Sequence, residues 1–144
     1  MKPQTLLAFD YGEKSIGVAV GRSSADTVRG VAAVRVHHGR PDWDHIDRLV
    51  EEWQPAAFVV GLPLNMDASE TGLTPVARKF GNRLRGRYNR PVHMVDERLT
   101  TRVAKQELAE AGIAPTYKNK ARIDRLAAEL ILQDYLHARG RESA

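Results

Sequence analysis

LLAFDYGEKSIGVAV, residues Leu6 to Val20, is an apolar run that stops at a carboxylate, crosses five residues and resumes as a second apolar run. Leu6, Leu7, Ala8 and Phe9 are apolar on both faces of a strand, the pattern of a strand in the middle of a sheet. An acid ending such a strand lies close to low dielectric, and Asp10, if ionised, needs donors, a cation or a metal beside it. The competing reading is a turn aspartate that bonds its own backbone in Asp10-Tyr11-Gly12.

Outward from this stretch, Ile16 to Val20 reads as the hairpin partner of the first strand. Val31 to Val36 reads as a third strand, completing an antiparallel meander. Trp43, Ile46, Leu49, Val50 and Trp53 recur at three- and four-residue spacing, an amphipathic helix ended near Pro55. Ala56 to Gly61 is a short apolar strand that a right-handed crossover would set parallel to the first. Thr74 to Arg87 is helical with Ala77, Phe80, Leu84 and Tyr88 inward, and Pro91 to Val95 is another buried strand. A helix from Thr100 or Thr101 stops at Gly112, and Arg122 to Ala138 forms the last one. The expected fold is α/β: a mixed five-stranded sheet, an antiparallel three-stranded meander plus two parallel strands, flanked by helices.

The chain has 144 residues, which fits a single domain over 1–144 and leaves no room for two nucleotide-binding lobes. With 42% hydrophobic and 28% charged residues it reads as soluble, and no stretch approaches the roughly 18 apolar residues of a membrane span. MKPQT leads straight into the first strand without a signal peptide, and there is no cysteine, so a cytoplasmic location is expected. Lack of cysteine also excludes disulfides, thiol nucleophiles and Cys-based zinc sites. The net charge of +4 suits a polyanionic partner, though only weakly.

Three segments bring acids to one edge. If both crossovers are right-handed, the carboxyl ends of the parallel strands share an edge, where open α/β sheets place ligands. Asp10 ends one strand and Asp96-Glu97 follows another; strand alternation lets only one of that pair face a given side and does not choose between them. On the last helix Asp124 shares a face with Ala127, Ala128, Ile131 and Tyr135, whereas Glu129 and Asp134 point elsewhere. An acid in a first turn is also what a helix dipole favours. Three unshared carboxylates would repel, however, and a divalent metal resolves the conflict. An all-oxygen set suits Mg²⁺ or Mn²⁺, and two such ions about 3.5 to 4 Å apart can hydrolyse phosphodiesters. His37, His38 and His45 fall far from this edge, and His93 reads as a packed strand residue.

Thr74 to Arg90 holds Arg78, Lys79, Arg83, Arg85, Arg87 and Arg90 and no acid, with Lys79, Arg83 and Arg87 at i+4 spacing. Solvated helix faces normally mix signs, so a phosphate-backbone track is the better reading. Lys118, Lys120, Arg122 and Arg125 surround Asp124, and Arg98, Arg102 and Lys105 follow the acidic pair. Such contacts give salt-sensitive binding with little base specificity. Tyr11 and Tyr117 read as exposed loop aromatics that can stack on a base.

FDYGEKSIGVAV, VVGLPLNMDASETG, VDERLTT and IDRLAAELILQDYL, in this order over roughly Leu6 to Leu136, resemble the YqgF/RuvX family. Its members are RNase H-like proteins described both as Holliday junction resolvases and as pre-16S rRNA nucleases. The resemblance implies that Asp10, Glu97 and Asp124 are the catalytic, metal-binding acids, which selects Glu97 over Asp96. It also implies that Lys14 and the GLPLNMD loop border the substrate groove, with Thr100 and Thr101 setting the helix behind Glu97. Ser15 stands where the family often has a second basic residue, Arg22-Ser23 where Ser-Asp is common, and Ala121 where a glycine is usual.

The expected activity is metal-dependent endonucleolytic cleavage of structured RNA, which the resemblance implies to be at the 5′ end of pre-16S rRNA. Resolution of four-way DNA junctions is the alternative nuclease reading, and it favours a homodimer over a monomer. A non-catalytic RNA-binding protein is the third. DYGEKSIG also resembles the first phosphate loop of actin and sugar kinases, which need a second lobe that 144 residues cannot contain.

Overall fold

The computed structural model describes residues 4–23, 27–97, 100–114 and 117–143. β1 (Thr5–Tyr11), β2 (Ser15–Arg22) and β3 (Val28–His37) form the antiparallel meander. A two-residue strand β4 (Arg40–Pro41) hairpins back on Val36 and His37. The sheet thus has six strands where the sequence suggested five; the sixth arises at His38 and Gly39, both at positive φ, a conformation that permits a tight turn. After helix α1 (Trp43–Trp53), β5 (Ala57–Leu62) pairs parallel with β1. After helix α2 (Thr74–Tyr88), β6 (Val92–Asp96) pairs parallel with β5. Helix α3 (Thr100–Glu110), a short 3₁₀ turn (Tyr117–Asn119) and helix α4 (Lys120–Ser143) complete the chain. The strand order is β4-β3-β2-β1-β5-β6.

Strand alternation divides the core. Leu7, Phe9, Ile16, Val18, Val34, Phe58 and Val60 meet Ile46, Leu49 and Val50 of α1 and Ala77, Phe80 and Leu84 of α2 on one face. Leu6, Ala8, Ala57 and Val59 meet Ile131 and Leu132 of α4 on the other. The expected α1 and α2 stripes lie inward, with Trp43, Trp53 and Tyr88 at the margin.

On the α4 face of β2 the alternate positions are Ser15, Gly17, Ala19 and Gly21, a row of small residues beneath α4 between Asp124 and Leu132. This row lets the helix come unusually close. A Cβ at Gly17 would lie 1.9 Å from the Asp124 carbonyl oxygen, and one at Gly21 would lie 3.0 Å from Leu132 Cδ2. At Gly30 of β3 a Cβ would lie 2.6 Å from Arg125 Cβ, and the Gly30 amide donates to Glu129 Oε1 at 2.6 Å. Glu129 therefore does not point away from the sheet, as a helical wheel suggests; the large area of β2 and β3 under α4 brings it onto β3.

Gly17→Ala should lower unfolding free energy by about 2 kcal/mol or more, since rigid backbone must move to admit the methyl. Gly86→Ala, a helical site whose added Cβ meets open space, should raise it by about 0.5 to 1 kcal/mol. Urea melts of both variants measure the contrast.

Candidate active site

Parallel pairing sets Asp10 opposite Gly61, and Gly61 opposite Val95. The carboxyl ends of β1, β5 and β6 thus form one edge, as expected. Leu6 and Ala8 face α4, so Asp10, two residues on, does too; Val95 packs on that face, and Glu97 follows it by the same alternation. Asp96 falls on the opposite side and is exposed. Glu97 is 6% exposed, and its backbone N–H donates to the Leu62 carbonyl at 3.2 Å, which continues the ladder one residue beyond β6. Gly61 makes space for it: a Cβ there would lie 2.9 Å from Glu97 Oε2 and 2.5 Å from Ile131 Cδ1.

Asp10 and Glu97 are hydrogen-bonded to each other. Burial pushes the Glu97 carboxyl far above the ordinary range, reinforced by the hydrogen bond to Asp10 and by the charges of Asp10 and Asp96. Burial also raises Asp10, which the bond from Glu97 and the Lys120 charge partly offset and the Asp124 charge augments. Both shifts run in the same direction, toward the protonated form, and the hydrogen bond favours the proton on Glu97 over Asp10. Glu97 Oε2 is buried without a hydrogen-bond partner among the described residues.

Asp124, 7% exposed, is held by two donors: Ser15 Oγ at 2.5 Å from Oδ2 and Lys120 Nζ at 3.0 Å from Oδ1. Its charge reaches Asp10. The structure therefore brings the three acids to one edge but closes only two of them into contact; among the described residues, no three His, Cys, Asp or Glu side chains stand together as a preformed metal cage. Ser15, which the sequence marks only as a departure from a basic residue, is a member of the site. The alternation of small residues in SIGVAVG was the available signal, because it marks the strand against which α4 lies closest.

The basic residues divide. Lys14 is exposed in the β1–β2 turn, its carbonyl accepting from the Val36 amide. Lys79 and Arg83 are exposed on α2, the Arg83 charge reaching Tyr11. Arg78 pairs with Glu70 at 3.3 Å. Arg87 is committed to a bidentate bond with Asp47 at 2.9 and 2.8 Å, an acid that Tyr88 also bonds, and it lies over the Trp43 ring. The i+4 track therefore keeps Lys79 and Arg83 and loses Arg87 to the α1–α2 contact. Lys118 in the 3₁₀ turn and Arg122 in the first turn of α4 are exposed, whereas Lys120 is on Asp124. Arg98 lies outside the described residues, as do the side chains of Thr100, Thr101, Arg102, Lys105 and Tyr117.

Tyr11 is not an exposed loop aromatic. It ends β1 on the face opposite Asp10, is 3% exposed, and packs on Phe80 with ring centroids 5.2 Å apart. Its face follows from Phe9, two residues before it in the same strand. His93 is packed, as expected, 5.3 Å from the Tyr135 ring. The GLPLNMD loop is knit by side chains: Leu64 bridges to Glu70, Asn65 Nδ2 donates to Ser69 Oγ at 3.0 Å, the Ser69 amide donates to Asp67 at 2.9 Å, and the Thr74 hydroxyl donates to the Pro63 carbonyl.

A mixed sheet of this order, with acids at the ends of two parallel strands and on the helix packed beneath them, defines the RNase H-like class. Two solved structures share the fold. T. thermophilus RuvC in complex with a Holliday junction substrate aligns with TM-score 0.55 and 18% identity over 94% of this chain and 95% of its own. The Fowlpox virus Holliday junction resolvase aligns with TM-score 0.53 and 15% identity over 93% and 99%. The chain belongs to the RuvX family, whose model, described as Holliday junction resolvase, matches residues 4–138. Relatives named "Putative pre-16S rRNA nuclease" include one from Haemophilus ducreyi, 51% identical with 91% of this chain and 94% of that protein covered. One from Actinobacillus pleuropneumoniae serotype 5b is 49% identical, with 94% and 98% covered.

Glu97→Gln preserves shape and a donor toward Asp10 while removing the titration. A carboxyl whose folded pKa lies above its unfolded value binds more protons folded than unfolded, so the stability of the parent protein falls as pH rises from about 4.5. The variant should melt higher than the parent at neutral pH without added metal. The gap should widen with pH by at most about 1.4 kcal/mol per unit and close near pH 4, as thermal melts across pH can measure.

Proposed function

We propose that this chain is a divalent-metal-dependent endonuclease that hydrolyses phosphodiester bonds of structured RNA and processes the 5′ end of pre-16S rRNA. The observation that carries the reading is the Asp10–Glu97 pair. A buried and a half-buried carboxylate stand together at the strand ends, and one oxygen, Glu97 Oε2, is unpartnered in low dielectric, which supports a place where positive charge is wanted. Asp10, Glu97 and Asp124 would hold the metal, and an all-oxygen donor set suits Mg²⁺ or Mn²⁺. Bound there, such ions would supply an activated water and charge stabilisation at the leaving oxygen. The chain's own contribution is placement. A strand end, the extension of a second strand and a helix packed on both hold the three carboxylates, and Ser15 orients the third.

The exposed cations Lys14, Lys79, Arg83, Lys118 and Arg122 would hold the phosphate backbone along both sides of the acidic edge. The names of the relatives favour the rRNA substrate. Cleavage of four-way DNA junctions is the second reading, favoured by the family description and by the resolvase fold. Among the described residues, no helix is long and apolar enough to cross a membrane.

Cleavage of a 5′-extended 16S rRNA precursor and of a four-way DNA junction, side by side with Mg²⁺ or Mn²⁺, tests the reading. Metal-dependent cutting of the RNA that falls by about a thousandfold in Asp10→Asn is expected. Paired nicks in the junction alone would install the resolvase, and salt-sensitive binding with no metal-dependent turnover of either substrate would leave a binding protein.

A second measurement addresses the basic residues. In filter binding against salt, Lys79→Gln with Arg83→Gln should flatten the log–log slope by roughly 0.7 to 0.9 for each phosphate no longer neutralised, while Arg87→Gln leaves it unchanged.

A further inference from the structure

Lys120 occupies an unusual position for a member of a phosphate-binding surface. Its ammonium is 3.0 Å from Asp124 Oδ1, one helical turn ahead in α4, and its charge also reaches Asp10. The Lys120 side chain is 51% exposed, while that of Asp124 is 9% exposed. The head group is therefore bound to the acidic edge while much of the side chain lies in solvent, so it can swing outward by rotamer changes alone. The other Asp124 oxygen has a neutral donor, Ser15 Oγ. Were Lys120 to leave Oδ1, Ser15 would still fix Oδ2 and the carboxylate would keep its aim.

We propose that Lys120 is a resident counter-ion of the acidic edge: a tethered cation that neutralises Asp124 and Asp10 in the metal-free protein and is displaced to solvent when a divalent ion binds. This rests on the metal-site reading given above. Without Lys120, Asp124 and the Asp10–Glu97 pair would confront one another with no cation among the described residues bonded to them. With it, three acids can be held on one edge, and the third stays apart from the pair until a stronger cation competes. A lysine suits this role where an arginine would not, because its single-point ammonium makes no bidentate grip on the carboxylate.

The consequence has a sign that separates this role from two others. A competitor's removal tightens metal binding, because a divalent ion no longer has to displace or approach a positive charge. Removal of a residue that orients Asp124 for the metal would weaken metal binding. Removal of a pure phosphate contact would leave it unchanged.

The test is Mn²⁺ titration of the full chain without nucleic acid, with free Mn²⁺ read by electron paramagnetic resonance, for the parent protein, Lys120→Met, Lys120→Gln and Asp10→Asn. Both Lys120 variants should bind Mn²⁺ roughly tenfold tighter than the parent, an effect scaled down from a buried pair because the lysine is half exposed. Equal or weaker binding by whichever of the two melts cooperatively would overturn the proposal. Asp10→Asn reads the underlying assignment separately. Should it bind Mn²⁺ as well as the parent does, the Asp10–Glu97 metal site itself falls, whereas loss of binding there with no change at Lys120 removes only the counter-ion.

Discussion

The closeness of α4 to β2 is the constraint on which the site depends. Helix and sheet ordinarily pack with side chains between them, but here Gly17 lets the backbone of β2 approach the backbone of the helix at Asp124. That approach brings Asp124 within reach of Ser15 Oγ and its charge within reach of Asp10. The same row of small residues continues through Ala19 and Gly21 to Leu132, so the helix lies along the strand instead of touching it at one point. A bulkier strand would keep the hydrophobic faces paired and still separate the acids. The stripe therefore matters to the chemistry as well as to packing density.

Much of this was legible from the chain. Continuous apolar runs located β1 and β5, which are buried on both faces, and the 3.6-residue period located α1 and α2. The acids were legible as three segments whose ends converge, since parallel crossovers leave little choice of edge. What was not legible depended on partners distant in sequence. Alternation alone could not choose between Asp96 and Glu97; the packing of Val95 against the α4 face decides it. Tyr11 belongs to the α1–α2 face because Phe9 does, and a turn-like sequence after it hid that. Arg87 looked like part of a phosphate track until Asp47, forty residues away, claimed it. β4 is too short to carry a pattern of its own.

The two faces of the sheet divide the work. Carboxylates aim toward α4, and the basic helix α2 packs on the opposite face. The Arg83 charge reaches Tyr11, at the end of β1 on the same face. On the proposed function, a polyanion gripped by both α2 and the start of α4 would pass over the strand ends, with the acidic edge between two positive flanks. Charge of one sign at the centre and the other at its borders favours a backbone held from the sides, with the scissile bond over the acids. The arrangement works against stability, because burial disfavours the charged form of Glu97. Sites that concentrate such groups commonly trade folding energy for chemistry.

The outer margin of β3 has a different significance. β4 covers only Val36 and His37, so among the described residues most of this ten-residue strand has no neighbour on the side away from β2. A bare strand margin invites a second chain to add to it. Here Arg29 and Arg35 stand exposed along it, the register against β2 slips between Val18 and Ala19, and the Gly30 amide at the slip is already taken by Glu129. Charge, a local bend and an occupied donor make that margin a poor template for intermolecular strand addition. The glutamate that settles α4 on the sheet thus also helps protect the protein from aggregating through its own meander.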